Sequence, residues 1–466
     1  MAVIWLDVTT ILGWRRPAVG VVRTEAECAA HALQLIRSGE LIKFCAFDFS
    51  KGYFAVEEAT VVAALSRISS AHGGSGGVSD AKKQLQLPIE HRLKQKFMQV
   101  IDRLPLGLKS RVYAYLQPRR SAVVEGARAL KQMLRSLRTM LTRLPEPGIA
   151  RGPVEAGEVF APFRAEDTYI SMGLDWDQKD FSSLCQLKKR LNFKVILFCY
   201  DVIPTKLPHL CVGDVASRFA LYFSNVAWCA DKILCISECS KRDLQALLSE
   251  LGAPQPRMEV VRLGCDLPKE SVKPCSKALR DIMDQPYFLF VSTIERRKNH
   301  EVLYRAYARL VDRGVTNLPL LVFVGMPGWG VGDLLKDIQL DPRTQKFIRI
   351  LNNVEDSDLT HLYQGAHMTL YPSLYEGWGL PVAESLAFGK FCLAANSASI
   401  PEVGGEFVEY LDPWNVEAWA DRLLWYIEHP CDVESKQKRI AEAYVVTSWA
   451  DTACSVFERL RPVASQ

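Results

Sequence analysis

The sequence predicts an α/β protein built from two doubly wound, Rossmann-like domains, and three observations lead there. Apolar runs of strand length alternate with amphipathic helical stretches along most of the chain, the pattern of parallel sheets covered on both faces. Glycines stand at several of the strand-to-helix junctions, where a chain must turn tightly or come close to a ligand. A length of 466 residues suits two or more domains. The 48% hydrophobic and 24% charged fractions fit a globular protein, and a net charge of +4 is too small to point to nucleic acid. Thirteen cysteines with no CxxC pair and no zinc spacing read as buried, reduced thiols. The opening MAVIWLDVTT lacks the basic and apolar regions of a signal peptide, and no apolar run reaches membrane-spanning length, so a cytoplasmic protein is expected.

The first expected domain, residues 1–264, begins with a strand over 3–8, a loop to Gly20 and an amphipathic helix over 21–38. Gly20, at a first strand-to-helix junction, is a place for a phosphate. A strand over 41–48 and a helix near 57–68 follow, then the flexible composition SSAHGGSGGVSD. Residues 82–143 are strongly basic, with roughly fifteen Lys and Arg, among them Arg128, Lys131, Arg135 and Arg138, and apolar residues at helical spacing. Such a helical insertion, within a segment of about 73–154, reads as a membrane-surface binder or as a solvated insertion with no partner. Order returns at DTYISMGLDWD, whose Asp175 and Asp177 read as a surface pair. The strand and turn VILFCYDVIP contain Tyr200 and Asp201, and Asp201 suits a cap on the turn that Pro204 fixes. Ser237 is placed to cap the helix that Glu238 begins. A linker is expected over 265–285.

The second expected domain, 286–446, opens with the strand YFLFVST and the loop Ile294 to His300. Arg297 and Lys298, after a strand and before a helix, can stabilise the charge that develops on a departing diphosphate. Further strand, loop and helix units follow. The glycines of GMPGWGVG do not have dinucleotide spacing, which argues against a nicotinamide site. The stretch 371–388, YPSLYEGWGLPVAESLAF, combines a strand end, a glycine loop and a helix started by Pro381. Amides at that helix start favour an anion. Glu376 and Glu384 would repel a phosphate, so they are expected to accept hydrogen bonds from hydroxyl groups.

Glu376-Gly-Trp-Gly-Leu-Pro-Val-Ala-Glu384 resembles the signature of retaining GT-B glycosyltransferases of family 4, typified by bacterial mannosyl- and glucosyltransferases. The loop around Arg297 and Lys298 resembles that family's GTxEPRKN element, with Ser292 for its first Gly and Arg296 for its Pro. The segment 16–23 resembles its first glycine loop, with Val19 where Thr is usual, and CYDVIP its HDLIP-like acceptor motif, with Tyr200 for His. The resemblance implies a GT-B fold whose two domains face a deep cleft, with the final segment 447–466 crossing back to the first domain. It implies Glu376, Lys298, Arg297 and Asp201 as catalytic residues. The donor would lie against Gly20, Arg23, Ser292, Thr293, Val354, Tyr375, Gly377, Trp378, Gly379, Leu380 and Glu384, the last gripping the ribose. Tyr200 and Asp201 would meet the acceptor.

The reaction this resemblance implies is transfer of a sugar, with mannose from GDP-mannose as the best guess, to a carbohydrate or polyprenyl-diphosphate-linked glycan of a surface polysaccharide such as lipopolysaccharide. Configuration is retained, and no metal or other cofactor is expected, because two cations already face the diphosphate. The protein would work in the cytoplasm, peripherally on the cytosolic face of the inner membrane if the basic region binds lipid. A sugar-nucleotide epimerase of the same architecture and a non-catalytic nucleotide-sugar-binding module are the alternatives.

Overall fold

The structure is a computed structural model that describes residues 2–15, 20–70, 161–211, 213–265 and 276–460. The expected flexible linker and the basic region 82–143 lie outside the described residues, as do Val19 and residues 461–466.

The first sheet contains β1 (Ile4–Asp7), β2 (Ile42–Asp48), β3 (Gly52–Val56), β4 (Thr168–Ser171), β5 (Lys194–Cys199), β6 (Lys232–Cys235) and β7 (Arg257–Val260), in the order β3-β2-β1-β4-β5-β6-β7. Its pairs are parallel except β2 with β3. That antiparallel edge strand departs from the sequence reading, in which GYFAV belongs to the loop before the helix Glu58–Ser70. The second sheet contains β8 (Tyr287–Val291), β9 (Leu320–Val324), β10 (Ile348–Leu351), β11 (Met368–Tyr371), β12 (Cys392–Ala395) and β13 (Val408–Leu411), in the order β10-β9-β8-β11-β12-β13, all parallel. Inner strands buried on both faces, such as LLVFV in β9 and CLAA in β12, explain why these segments read as unbroken apolar runs.

The helix Lys277–Met283 falls inside the expected linker but belongs to the second domain, because Leu279 and Ile282 are buried with Tyr287, Leu320 and Leu362. After β13 and two further helices, the helix Trp449–Leu460 packs onto the helix Val21–Arg37 of the first domain. Trp449, Ala453, Val456, Phe457 and Leu460 are buried in the same cluster as Val22, Ala26 and Ala29. A Cβ on Gly264 would come within 2.4 Å of the Trp449 backbone, so the outgoing and returning chains touch there.

Both sheets reverse their winding at one place, between β1 and β4 in the first and between β8 and β11 in the second. Crevices open at the carboxyl ends of strands flanking such points, and ligands bind there. In the first sheet the reversal is filled by charge. Lys179 Nζ lies 2.9 Å from Asp7 Oδ1 and 2.8 Å from Asp175 Oδ1, with all three side chains almost fully out of solvent. The Tyr169 hydroxyl donates to Asp7 and the Ser171 hydroxyl to Asp175. The expectation of a surface Asp175 is corrected here: a short helix, Asp175–Gln178, turns it inward, where Lys179 compensates its charge. Glu25 completes the group. One oxygen accepts the Ile11 amide at 2.9 Å, the other has no hydrogen-bond partner among the described residues, and burial with nearby Asp7 raises its pKa to about 8.

Candidate active site

In the second sheet the loops leaving β8 and β11 meet at the reversal point. The β8 loop makes one 3-10 turn, Arg296–Lys298, and Asn299 then enters the left-handed region at φ 60° to begin the helix His300–Asp312. Asn299 tolerates that conformation, and its side-chain amide donates to the carbonyls of Pro372 and Pro413. The two loops are thereby fixed to each other. Leu374 N–H donates to the Arg297 carbonyl, and the Arg297 guanidinium donates to the Tyr375 carbonyl at 2.6 Å.

Glu376 sits where the loops converge. Arg297 Nη1 is 2.8 Å from its Oε2 and Lys298 Nζ is 2.6 Å from its Oε1, while the carboxylate is only 8% exposed. Burial opposes ionisation, but the two cations outweigh it and bring the Glu376 pKa down from 4.5 to about 2. The same burial pulls Lys298 below its ordinary value in spite of Glu376, whereas the carboxylate pushes Arg297 upward. The Lys298 ammonium also lies 3.4 Å from the Tyr371 hydroxyl and over that ring. A carboxylate clamped by two cations at the carboxyl ends of two strands is a ready site for exchange: an incoming diphosphate can take the cations while the carboxylate turns to a hydroxyl or a developing positive charge.

Glu384 lies in the helix Leu380–Ala387, which Gly379 starts at φ 125°, a value that requires glycine, with proline in the first turn. Its Oε2 accepts from the Tyr363 hydroxyl at 2.9 Å. Burial raises the Glu384 pKa, while Tyr363 and Arg23 pull it back. Arg23 belongs to the first domain, on the helix that Gly20 starts, so residues of both domains converge on Glu384. Asp201 is drawn into the Glu376 group in the same way. Burial raises its pKa, Arg297 and Lys298 lower it, and Glu376 raises it. One Asp201 oxygen accepts the Ile203 amide at 3.0 Å, so the turn-capping role and proximity to the cation pair coexist.

Several expected contacts are placed differently. The Tyr200 ring is buried and its hydroxyl donates to the Met172 carbonyl at 2.6 Å, so only its backbone faces the loop. Trp378 is 7% exposed and belongs to the buried core cluster, with Tyr371 and Val382 among its members. Gly377 does permit a close approach, but to the other domain: a Cβ there would lie 2.4 Å from the Tyr200 carbonyl oxygen. The Tyr375 hydroxyl donates to Asp243 of the first domain. Val354 and Leu380 are half-buried against the core, and Ser292 and Thr293 continue from the end of β8. Ser237 caps the helix Glu238–Glu250 as expected, accepting from Ser240 N–H, and it also donates to the Gly377 carbonyl at 2.8 Å. Tyr363, which orients Glu384, and Ser399, whose hydroxyl lies 2.9 and 2.7 Å from the carbonyls of Glu376 and Trp378, had no local signal in the sequence.

Residues 276–445 match the family described as glycosyl transferases group 1. The second domain is a glycosyl transferases group 1 domain. With the first sheet it forms the GT-B fold. The solved structure of Anabaena Alr3699/HepE in complex with UDP superposes with a TM-score of 0.50 at 15% identity, covering 63% of this chain and 78% of that one. Among curated relatives, O-antigen chain mannosyltransferase B of Escherichia coli is 33% identical over 199 residues, 42% of this chain and 51% of the relative. Serotype-specific mannosyltransferase WbdA of Escherichia coli is 30% identical over 196 residues, 40% of this chain and 24% of the relative. The match thus spans about half the length of the first relative and a quarter of the second. The glycosyl transferase domain contains Arg297, Lys298, Glu376 and Glu384, while Arg23 and Asp201 approach it from the first domain. Among the described residues, nothing beyond its chain neighbours lies within 4 Å of a Cβ built on Gly20.

Proposed function

We propose that this protein is a retaining glycosyltransferase that moves mannose from GDP-mannose to a carbohydrate or lipid-linked glycan during synthesis of a surface polysaccharide. The observation that carries the reading is the convergence of Arg297 and Lys298 on Glu376 at the reversal point of the second sheet. The relatives named as O-antigen mannosyltransferases favour mannose and a polysaccharide product. In this reading Arg297 and Lys298 take the diphosphate and offset the charge that grows on it as the glycosidic bond breaks. Glu376, released from them, steadies the oxocarbenium-like sugar, and Glu384 accepts from the ribose hydroxyls. The acceptor hydroxyl attacks from the side the diphosphate leaves, and the departing phosphate oxygen takes its proton, so configuration is retained without a covalent intermediate. Asp201 orients that hydroxyl. The two cations supply the charge a metal would otherwise supply, so turnover is expected to persist in EDTA.

A panel of nucleotide sugars screened by thermal shift tests the donor, since a ligand at about 100 times its Kd stabilises by roughly 2.7 kcal/mol. GDP-mannose should stand out, and anomeric analysis of the product should show retention. Donor consumed without glycosylated acceptor would instead mark an epimerase. No helix among the described residues is long and apolar enough to cross a membrane. We place the protein in the cytoplasm, with the basic region 82–143 as its contact with an anionic membrane surface, each Lys or Arg there contributing about 1 kcal/mol. Reversing Arg128, Lys131, Arg135 and Arg138 to Glu should abolish sedimentation with anionic vesicles and leave donor affinity unchanged. Retained sedimentation of that variant would remove the region from this role.

A further inference from the structure

The segment Ser399 to Glu402 holds both domains at once. Ser399 is fully buried and its hydroxyl lies between the carbonyls of Glu376 and Trp378, so it fixes the backbone on either side of Gly377. Three residues on, Glu402 reaches across to the first domain. Its two carboxylate oxygens accept the amides of Glu238 at 2.8 Å and Cys239 at 2.7 Å, which are the first two residues of the helix Glu238–Glu250. Amides at a helix start have no partner within the helix, and a carboxylate placed there gains from both hydrogen bonding and the helix dipole. Ser237, at the cap of that same helix, donates to the Gly377 carbonyl, and Tyr375 donates to Asp243 one turn further on. The Ser237 and Tyr375 contacts join the loop bearing Glu376 directly to this helix of the opposite domain, and Glu402 joins its own segment to the start of the same helix.

We propose that Glu402 is a positioning residue that couples the contact between the two domains to the placement of Glu376, acting through Ser399. The contact between the domains seats Glu402 on the helix start. The short helix Ile400–Gly404 transmits that seating to Ser399, and Ser399 sets the carbonyls of Glu376 and Trp378. Glu402 itself makes no contact with Glu376, Arg297 or Lys298 among its hydrogen bonds to the helix start, so its influence on the reaction is indirect. The role in catalysis rests on the proposed transferase activity. The mechanical coupling does not.

The test uses the full chain with Ser399→Ala, Glu402→Ala, the double variant and Glu402→Gln. Backbone hydrogen exchange is followed over 237–241 and 374–379, and kcat, KM and the Kd for GDP are measured in parallel. Glu402→Ala should lower kcat by about tenfold, less than the roughly hundredfold or more that follows loss of a group acting on the transition state itself. The GDP Kd should stay within about twofold, because Glu402 hydrogen-bonds to the helix start of the first domain and not to Arg297, Lys298 or Glu384, the groups proposed to hold the nucleotide. Exchange should quicken at Glu376 to Trp378 as well as at Glu238 and Cys239. Ser399→Ala should lower kcat similarly, and the double variant should be no slower than the worse single, as for two parts of one linkage. Glu402→Gln, which keeps one acceptor oxygen, should fall between. Faster exchange confined to 238–239, or multiplying losses of kcat in the double variant, would overturn the coupling. Absence of transfer from every donor would defeat the transferase reading, while exchange at 376–378 would still decide the coupling.

Discussion

Replacing Glu376 with Ala should tighten nucleoside diphosphate binding while it abolishes turnover, the reverse of what removal of an ordinary ligand contact does. Two cations hold this carboxylate at 2.8 and 2.6 Å, and a diphosphate must take them from it. The fall of the Glu376 pKa from 4.5 to about 2 corresponds to about 3 kcal/mol in favour of the ionised, paired form. Loss of that pairing also leaves Arg297 and Lys298 facing each other in a largely buried site, so the unliganded variant should be destabilised by about 3 kcal/mol. For a domain of this size the melting temperature should fall by roughly 6 to 12 °C. A bound diphosphate restores the missing negative charge. If about half of the pairing energy no longer has to be displaced, GDP or UDP should bind about tenfold more tightly, which is about 1.4 kcal/mol. Calorimetric titration of both nucleotides, with thermal unfolding at zero and saturating ligand, measures every quantity. Turnover should fall at least about a hundredfold, since the group proposed to face the sugar is gone. Nucleotide binding weakened more than about threefold, or an unchanged melting temperature, would refute the reasoning.

Lys298→Ala should lower turnover by about a hundredfold, the scale for losing one transition-state donor, and unchanged turnover would remove Lys298 from the diphosphate site. Glu384→Ala should weaken binding of free GDP with a smaller effect on kcat, because a ribose contact is present in donor and product alike; equal nucleotide affinity would contradict that role. Glu25, with a folded pKa of about 8 against 4.5 for an ordinary Glu, keeps its proton on folding where the unfolded chain has lost it. Stability is therefore fully present below about pH 4.5 and is lost as pH rises toward 8, by up to about 5 kcal/mol. Glu25→Gln should flatten this decline, so its melting temperature should exceed that of the parent at pH 8 and not at pH 4.5.

The residues of the candidate site that could be read from the sequence are those whose chemistry is local. Arg297 and Lys298 follow a strand, Glu376 and Glu384 flank a glycine loop, and each loop could be placed at a strand end by the apolar run before it. Alternation of strands and helices likewise gave two parallel sheets, because inner strands buried on both faces have no polar alternation to obscure them. What could not be read is direction and long-range partnership. Trp378 and Gly377 lie in the same stretch as Glu376, yet one faces the core and the other the opposite domain. Asp175 looked solvated because its compensating Lys179 and Asp7 come together only when β1 and β4 pair. Glu402 and Glu238 are 164 positions apart, and neither neighbourhood carries a sign of the other. The edge strand β3 escapes a sequence reading because its apolar run, Tyr53 to Val56, is only four residues long and its burial does not alternate.

The packing of Trp449–Leu460 on Val21–Arg37 places a constraint on how this chain is made. A ribosome releases the first of these helices about 410 residues before the second, and at about 5–20 residues per second the interval is roughly 20–80 s. Throughout that time the first sheet can assemble, but the face of its early helix around Val22, Ala26 and Ala29 lacks its final cover. The nascent chain therefore carries an apolar stripe for that whole interval, long enough for a chaperone to bind and leave many times. Native closure of the first domain waits for the helix Trp449–Leu460, long after the domain's own strands have emerged.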